Sequence, residues 1–374
     1  MIQPYFVAAC QAEIIAPRSG GNDKIKENME KNLERFCGFI DFACGGFLTG
    51  KGGYNVTGPV KLVTFGEYAL TGLHHATDPT QSTFNKEEIT KYLAIRMPGP
   101  ETDVLANKAK QYKVYIAAAN LEYDPEWPEM FFNTGFIIGP EGNIILKYRK
   151  TVTNVPIAMH CSVHDVMDAY KNPITGKYDA FPVVNTSIGR LAIMICVDLR
   201  AQEIPRVYSM KGADVVMHLT RGMSTSGGGN APIGVNEACL QARAFDNAVY
   251  LVHSKWGPEL GAYYPRARSG GYSRVYDYMG IKIAEADDGD EQIVRAKLDI
   301  EACRRYKEQY HRNPVTLVRT ELYTPYYSKP IYPANTFLHD GPIGEILGEQ
   351  QQGYFKQAVE NMKQGYDFYD ESDA

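Results

Sequence analysis

The sequence predicts a mixed-sheet α/β fold. Strand-like apolar runs alternate with helical patterns along most of the 374-residue chain, which is typical of helices packed on the faces of a sheet. Three pairs of apolar runs are instead separated by short turn sequences, which predict antiparallel hairpins. These hairpins exclude a purely parallel, doubly wound sheet.

The first predicted elements are a strand, a helix and a second strand. The apolar run at residues 5–11 predicts a buried strand. One helical face follows, formed by Ile25, Met29, Leu33, Phe36 and Ile40. Gly45 is expected to end this helix, and the glycine-rich range 45–60 predicts a long loop. Residues 61–65 then predict a short strand that leads to Glu67.

The remaining elements up to about residue 300 alternate between helices, strands and hairpins. In chain order we expect helices at about 86–96 and 101–111, a strand at 114–119, a hairpin at 136–146, a second hairpin at 181–196, a helix at 201–211, a strand at 214–219, a helix at 236–247, a strand at 249–253, a third hairpin at 272–286 and a last strand at 292–298. The first hairpin has strong turn chemistry, because residues 139–143 read Gly-Pro-Glu-Gly-Asn.

The pattern changes after residue 305. Residues 323–343 contain four tyrosines and four prolines but few helical signals. A segment so rich in aromatic residues is expected to lie across the body of the protein or across a partner subunit. We therefore predict a main domain at 1–305 and a C-terminal extension at 306–374 that serves as an oligomerisation arm.

Composition and charge narrow the class of protein. Hydrophobic residues make up 44% and charged residues 22% of the chain, which is ordinary globular usage and excludes general disorder or a fibre. The 39 basic and 44 acidic side chains give a net charge of −5, so we expect no nucleic-acid partner. We find no apolar run of about 18 residues and no basic leader, so we expect neither a membrane span nor a secretory signal.

One of the seven cysteines stands at a position suited to catalysis. The odd number of cysteines, without zinc-ribbon spacing, predicts a reducing, cytoplasmic setting. Cys196 follows the apolar run 191–195 and precedes the predicted helix at 201–211. A helix N-terminus lowers the pKa of a thiol, and its N–H groups can stabilise an oxyanion. The alternative interpretation is a buried structural cysteine.

Two further residues favour the catalytic interpretation. Glu67 ends a predicted strand in the first third of the chain, and Lys150 ends another in the second third. With Cys196 they would supply an acid/base, an electrophile and a nucleophile. Each of them alone can equally be a solvated charge at a strand end.

At these three positions the chain resembles the nitrilase superfamily of carbon–nitrogen hydrolases. Residues 62–67 (LVTFGE), 147–150 (LysTyrArgLys) and 196–203 (CVDLRAQE) are similar to the three catalytic motifs of that family. Supporting matches are Asn133-Thr134, residues 211–214, residues 243–247 and residues 271–280. The resemblance runs from about residue 5 to 300. It implies a four-layer αββα sandwich whose subunits pair, so that 1–305 would be a carbon–nitrogen hydrolase domain.

The resemblance also implies a mechanism. Glu67 would take the proton of the Cys196 thiol, which attacks an amide carbonyl carbon. Lys150 and the backbone N–H of Val197 would stabilise the oxyanion. The implied product is a carboxylic acid plus ammonia, formed through a thioester. No cofactor or metal is implied, and a homodimer or larger homo-oligomer is expected.

The substrate is less closely defined by the sequence. The residue pair after the nucleophile, Val197-Asp198, resembles the amidase branches rather than the true nitrilases, which favours an amide. Hydrolysis of a nitrile, an N-carbamoyl compound or a hydrazide, acyl transfer, and a non-catalytic scaffold remain alternatives.

Two departures from the family pattern stand near the motifs. Gly66 stands where the family usually has proline, and residues 151–161 lack the second glutamate that many members carry after the motif lysine. His160, His164 and Asp165 are candidates for that place.

Four residues are candidates for substrate binding. They are His160, His164, His218 and Arg221. Arg221 could bind a substrate carboxylate with both guanidinium nitrogens. The histidines at 160 and 164 stand beside Cys161, but no second ligand cluster accompanies them, so we expect no metal site.

Overall fold

The computed structural model describes residues 1–17, 21–45, 58–71, 89–152, 160–221, 235–260, 271–287, 289–340 and 349–364. The strands are β1 (Tyr5–Gln11), β2 (Ile14–Ile15), β3 (Val60–Glu67), β4 (Tyr115–Tyr123), β5 (Phe131–Ile138), β6 (Ile144–Arg149), β7 (Val184–Thr186), β8 (Gly189–Ile195), β9 (Val215–Thr220), β10 (Tyr250–Lys255), β11 (Glu259–Leu260), β12 (Arg274–Tyr276), β13 (Lys282–Glu285) and β14 (Gln292–Leu298). The helices are α1 (Ile25–Cys44), α2 (Pro100–Tyr112), α3 (Glu203–Met210), α4 (Val235–Asn247), α5 (Ile300–Glu308), α6 (Thr320–Tyr327), α7 (Thr336–Asp340) and α8 (Glu349–Gln364).

Two six-stranded sheets form the centre of the fold, in the orders β14-β1-β3-β4-β5-β6 and β13-β12-β10-β9-β8-β7. Within them β1, β3 and β4 run parallel, as do β8, β9 and β10. The other neighbouring strands pair antiparallel. The predicted mixed α/β fold is therefore confirmed, and both sheets have a parallel centre with antiparallel flanks.

Apolar side chains fill the space between the sheets and the space under the helices. Leu62 of the first sheet and Ile193 and Met217 of the second belong to one buried cluster. On the far side of the first sheet, the Phe36 ring of α1 stacks on Phe65 of β3 with centroids 4.0 Å apart. On the far side of the second sheet, α3 and α4 pack through a third cluster. This layering is the αββα sandwich.

The three predicted hairpins are all present. β5 and β6, β7 and β8, and β12 and β13 each pair antiparallel across a short connection. In the first hairpin the Gly139 N–H donates to the Asn143 carbonyl at 2.9 Å. Two other predictions lie partly outside the described residues: the long loop, which includes 46–57, and the helix at 86–96. Of that helix, the structure describes one π-helical turn at Ile89–Leu93.

The few helical signals in residues 323–343 do not reveal two short helices, Thr320–Tyr327 and Thr336–Asp340. These are α6 and α7, and Pro325 is inside α6. This proline removes its own N–H donor and crowds the carbonyl four residues before it, but the bond from the Ser328 N–H to the Thr324 carbonyl still closes the helix end.

The extension is held on the body of its own chain by polar contacts. The backbone N–H of Asn335 donates to the carbonyl of His164 at 2.9 Å, and the Thr336 hydroxyl donates to Asp165 at 2.7 Å. The hydroxyl of Tyr327 reaches Glu203 of α3 at 2.8 Å. Among the described residues, no helix is long and apolar enough to cross a membrane.

Candidate active site

Three strand ends bring the predicted acid/base, electrophile and nucleophile together. Glu67 is the last residue of β3, Lys150 follows β6, and Cys196 follows β8 of the other sheet. The ammonium of Lys150 donates to the Glu67 carboxylate at 2.9 Å, and the Cys196 thiol hydrogen-bonds with the same carboxyl group. β6 pairs antiparallel with β5, which pairs antiparallel with β4, so β6 runs in the same direction as β3. The strands that carry Glu67 and Lys150 therefore end at the same edge of the first sheet, although they are far apart in sequence.

Glu67 is a buried carboxylate with several donors. Only 3% of its surface and 3% of that of Lys150 are exposed. Besides Lys150, the Asn133 amide donates to it at 2.7 Å and the Arg221 backbone N–H at 3.3 Å. Burial would raise the pKa of this carboxyl, but Lys150 and these donors outweigh it and hold the pKa below its ordinary value. Glu67 is therefore ionised near neutral pH and ready to accept a proton.

Gly66 is explained by the close approach of the opposite sheet. A Cβ atom at this position would lie 2.7 Å from Cδ1 of Trp256 and 2.8 Å from the carbonyl oxygen of Thr220. The Trp256 indole N–H donates to the Glu67 carbonyl at 2.6 Å. Glycine in place of proline at position 66 therefore leaves space for the buried Trp256, whose indole binds the backbone of Glu67.

Cys196 occupies a sharp turn between β8 and a short 3-10 helix, Cys196–Arg200. Its φ of +49° lies in the left-handed region, which costs free energy in a non-glycine residue and recurs at active sites. Asp198 holds the turn, because its carboxylate accepts from the Ile195 N–H and from the Tyr148 hydroxyl, both at 2.7 Å. Val197 follows the nucleophile, and the first N–H groups of such a helix have no intrahelical acceptor.

The expected lowering of the Cys196 pKa by the helix N-terminus is wrong. Burial and the neighbouring Glu67 carboxylate raise the pKa of this thiol to about 11, although Lys150 and Thr220 lower it in part. The N–H groups of this short helix lower the thiol pKa by less than burial and the Glu67 carboxylate raise it. The resting site therefore holds a neutral thiol beside an ionised carboxylate.

His218 forms a hydrogen bond with the backbone of the nucleophile. Its Nε2 lies 2.9 Å from the carbonyl oxygen of Cys196, and its Nδ1 lies 2.8 Å from Nδ1 of His253. Because a carbonyl only accepts, we assign the proton of His218 to Nε2, and His253 then donates to Nδ1. Burial lowers the pKa of His218 to about 4, so the ring is neutral. With both ring nitrogens occupied, His218 positions the Cys196 backbone and is not open to a substrate.

Arg221 is committed to a partner within the protein. Its guanidinium forms a salt bridge of 2.7 Å with Glu259 and lies over the Trp256 ring, with the Cζ atom 5.2 Å from its centroid. Both side chains of the salt bridge are buried. The sequence-based candidate for carboxylate binding is thus already paired with a carboxylate.

The two remaining histidine candidates lie in different places. His160 is buried, and its Nδ1 lies 2.8 Å from the hydroxyl of Tyr68, the residue after Glu67. The pKa of His160 is lowered by burial and by the charge of Lys150, which places it near the catalytic residues. His164 instead packs against Tyr332 of the C-terminal extension, with ring centroids 6.0 Å apart.

Sequence reasoning missed Lys255, which ends β10. In the sheet, Lys255 is in register with Thr220, and Thr220 hydrogen-bonds with the Cys196 thiol. The signal that could have found it is a lysine at the end of the strand after His218. Within the ranges that the structure describes, no group of three or more His, Cys, Asp or Glu side chains could hold a metal ion.

Comparison with known proteins identifies the family of this chain. A family model described as carbon-nitrogen hydrolase matches residues 6–308. An omega-amidase of Xenopus laevis, NIT2-B, is 26% identical over 232 residues, which are 60% of this chain and 77% of that protein. A formamidase of Bacillus cereus is 28% identical over 268 residues, which are 71% of this chain but only 62% of the formamidase.

A solved structure shows the same fold. The carbon-nitrogen hydrolase of Helicobacter pylori superposes with a TM-score of 0.64 at 17% identity, over 87% of this chain and 99% of that one. The αββα sandwich expected from the motifs is thereby confirmed. Since the family model spans most of the sequence, the chain belongs to the carbon–nitrogen hydrolase family, whose members are hydrolytic enzymes.

Proposed function

We propose that this protein hydrolyses a small linear amide to a carboxylic acid and ammonia through a thioester on Cys196. The observation that carries the proposal is the Glu67 carboxylate, which contacts both the Lys150 ammonium and the Cys196 thiol. One group can thus move the proton of the nucleophile while the adjacent cation faces the developing negative charge. The relatives named omega-amidase and formamidase support an amide substrate.

The first half-reaction forms the acyl-enzyme. With a thiol pKa of about 11, proton transfer to Glu67 is unfavourable in the resting site, so it accompanies attack of sulfur on the carbonyl carbon. The Lys150 ammonium and the Val197 N–H stabilise the oxyanion. Protonated Glu67 gives its proton to the nitrogen, the C–N bond breaks, and ammonia leaves.

The second half-reaction returns the enzyme to its starting state. Glu67 takes a proton from a water molecule as the water oxygen attacks the thioester carbon. The same donors stabilise the second oxyanion. The C–S bond then breaks, and Glu67 returns the proton to the sulfur of Cys196, so that water has replaced ammonia on the acyl group.

The proposal is tested with Cys196→Ala and a matched Cys239→Ala control, since both residues are partly exposed and neither forms a disulfide. We expect ammonia release from a panel of short amides to fall by several powers of ten in Cys196→Ala only. Intact-mass analysis of quenched wild type should show an acyl adduct that the variant lacks. Undiminished turnover by Cys196→Ala, or acid formation from matched nitriles but not from amides, would contradict the proposal.

We also propose a cytoplasmic homo-oligomer, at least a dimer. All seven cysteines are free, which suits a reducing compartment. Several large apolar side chains of the C-terminal extension are exposed in the single chain, among them Leu322, Tyr326 and Ile331. Clusters of this kind favour contact with another protein surface, and a second copy of the chain is the proposed partner.

A further inference from the structure

Lys255 stands beside the nucleophile on the same face of the second sheet. Residues in register on neighbouring parallel strands point to the same face, and Lys255 is in register with Thr220. The Thr220 hydroxyl hydrogen-bonds with the Cys196 thiol, so the Lys255 side chain leaves the sheet on the side of the thiol. Two strand spacings put the Cα atoms of Cys196 and Lys255 about 10 Å apart, within reach of a long side chain and a short acyl group.

The ammonium of Lys255 has no carboxylate partner among the residues that the structure describes. Nearby carboxylates are engaged elsewhere: Glu67 with Lys150, and Glu259 with Arg221. The neighbouring cation Arg274 is itself held by Glu237 and Glu285. Lys255 is only partly exposed, and a partly buried charge without a counter-charge is costly.

Acidic residues are absent from the chain segments that follow β6, β9 and β11. Residues 153–159, 222–234 and 261–270 contain no Asp or Glu, and the last of these ranges contains two arginines. The segment after β3, residues 72–88, contains Asp78, Glu87 and Glu88 and lies outside the described residues. Within the part of the chain that the structure describes, the Lys255 ammonium has no counter-charge, which a substrate carboxylate would supply.

We infer that Lys255 binds an anionic group at the far end of the acyl chain, so that the substrate class is the monoamide of a short dicarboxylic acid. This inference rests on the proposed amide hydrolysis and adds the polarity of the acyl group. The thioester carbonyl lies at Cys196 between Lys150 and Val197, and the acyl chain extends past Thr220 toward Lys255. Arg221, the sequence-based candidate for this role, is excluded by its salt bridge with Glu259.

The titration of Lys255 supports this role. Burial and then the charge of Arg274 lower the pKa of this lysine to about 8, while Cys196 raises it in part. The other titratable groups around it are His218 and His253, and both are held neutral because burial lowers their pKa values. The ammonium therefore persists at neutral pH and is lost as the pH rises through about 8.

The test compares succinamate with isocaproamide, a neutral amide of nearly the same shape. We expect wild type to prefer succinamate in kcat/KM, and Lys255→Met to reduce that ratio about 10- to 100-fold, the range expected for a hydrogen bond to a charged group. Lys255→Arg should keep the preference. The exposed Lys297→Met serves as the control and should leave the ratio unchanged.

Further outcomes separate this inference from the proposed function. An equal loss on both amides in Lys255→Met would overturn the inference, because the lysine would then act on the nucleophile. So would a wild type that turns over isocaproamide as well as succinamate. A wild type that hydrolyses no amide and forms no acyl adduct would instead refute the proposed function.

A binding measurement with succinate tests the inference independently of turnover. In the Cys196→Ala background, calorimetry should show that Lys255→Met weakens succinate binding about 10- to 100-fold. In wild type, the preference for succinamate should fall as the pH rises through about 8. Unchanged succinate affinity in the double variant would overturn the inference.

Discussion

Replacing Gly66 with alanine should damage both stability and catalysis. The added Cβ would lie 2.7 Å from Trp256 Cδ1 and 2.8 Å from the Thr220 carbonyl oxygen, whereas favourable contacts between carbon atoms begin at about 3.5 Å. The two sheets must therefore separate locally by nearly 1 Å. Overpacking of this kind lowers the free energy of unfolding by about 1–3 kcal/mol.

The catalytic loss follows from the bond between Trp256 and Glu67. The indole that would have to move donates to the Glu67 carbonyl at 2.6 Å, so its displacement also moves the general base. A misplacement of about 1 Å can cost about 100-fold in rate. We therefore expect Gly66→Ala to lower kcat/KM on the preferred amide by about this factor.

Urea denaturation and steady-state kinetics measure the two effects on the same preparations. Gly38→Ala is the matched control, because no atom would lie within 4 Å of its added Cβ. In the exposed interior of α1 that change should stabilise the protein by about 0.5–1 kcal/mol. If Gly66→Ala unfolds at the same urea concentration as wild type and retains its kcat/KM, the close approach of the sheets does not constrain Glu67, and the reasoning is refuted.

Two further predictions concern pH and assembly. The active form needs an ionised Glu67 and a neutral Cys196 thiol. Glu67 should limit kcat/KM on isocaproamide only below the ordinary glutamate pKa, because its pKa is lowered, and the thiol should limit it at high pH toward about 11. Asp198, which holds the turn of Cys196, has a pKa that burial raises to about 6, so a first decline is expected as the pH falls through about 6. A decline on that neutral amide between pH 7 and 8 would show that another group titrates. Sedimentation velocity of the full chain should give at least a dimer. A species that stays monomeric at micromolar concentration would contradict the proposed oligomer.

The residues at strand ends could be predicted because their signals are local. An apolar run that stops at a charged residue marks Glu67 and Lys150, and an apolar run before a helical pattern marks Cys196. The convergence of the three was implied by the family resemblance and not by any one segment. The same local reasoning gave the hairpin at residues 139–143 correctly, because turn chemistry is contained within a few residues.

The errors and omissions concern contacts between distant segments. Trp256 and Glu67 are 189 residues apart, and no local pattern connects them, so the reason for glycine at position 66 was not visible. The thiol pKa was mispredicted because the helix is adjacent in sequence while the carboxylate of Glu67 is adjacent only in space. Lys255 was missed because its relation to Cys196 depends on the register of β9 and β10.

The contact between Thr336 and Asp165 has a consequence for where this enzyme can be shortened. The family match ends at residue 308, yet Asp165 receives its bond from beyond that point, and the segment that carries Asp165 also carries His160, the neighbour of Tyr68. A chain cut at 308 would remove the Thr336 donor from Oδ1 of this buried carboxylate and leave only the two Ser162 donors, which bind Oδ2. We therefore expect that the minimal unit for expression or engineering extends through α7, beyond the end of the family match.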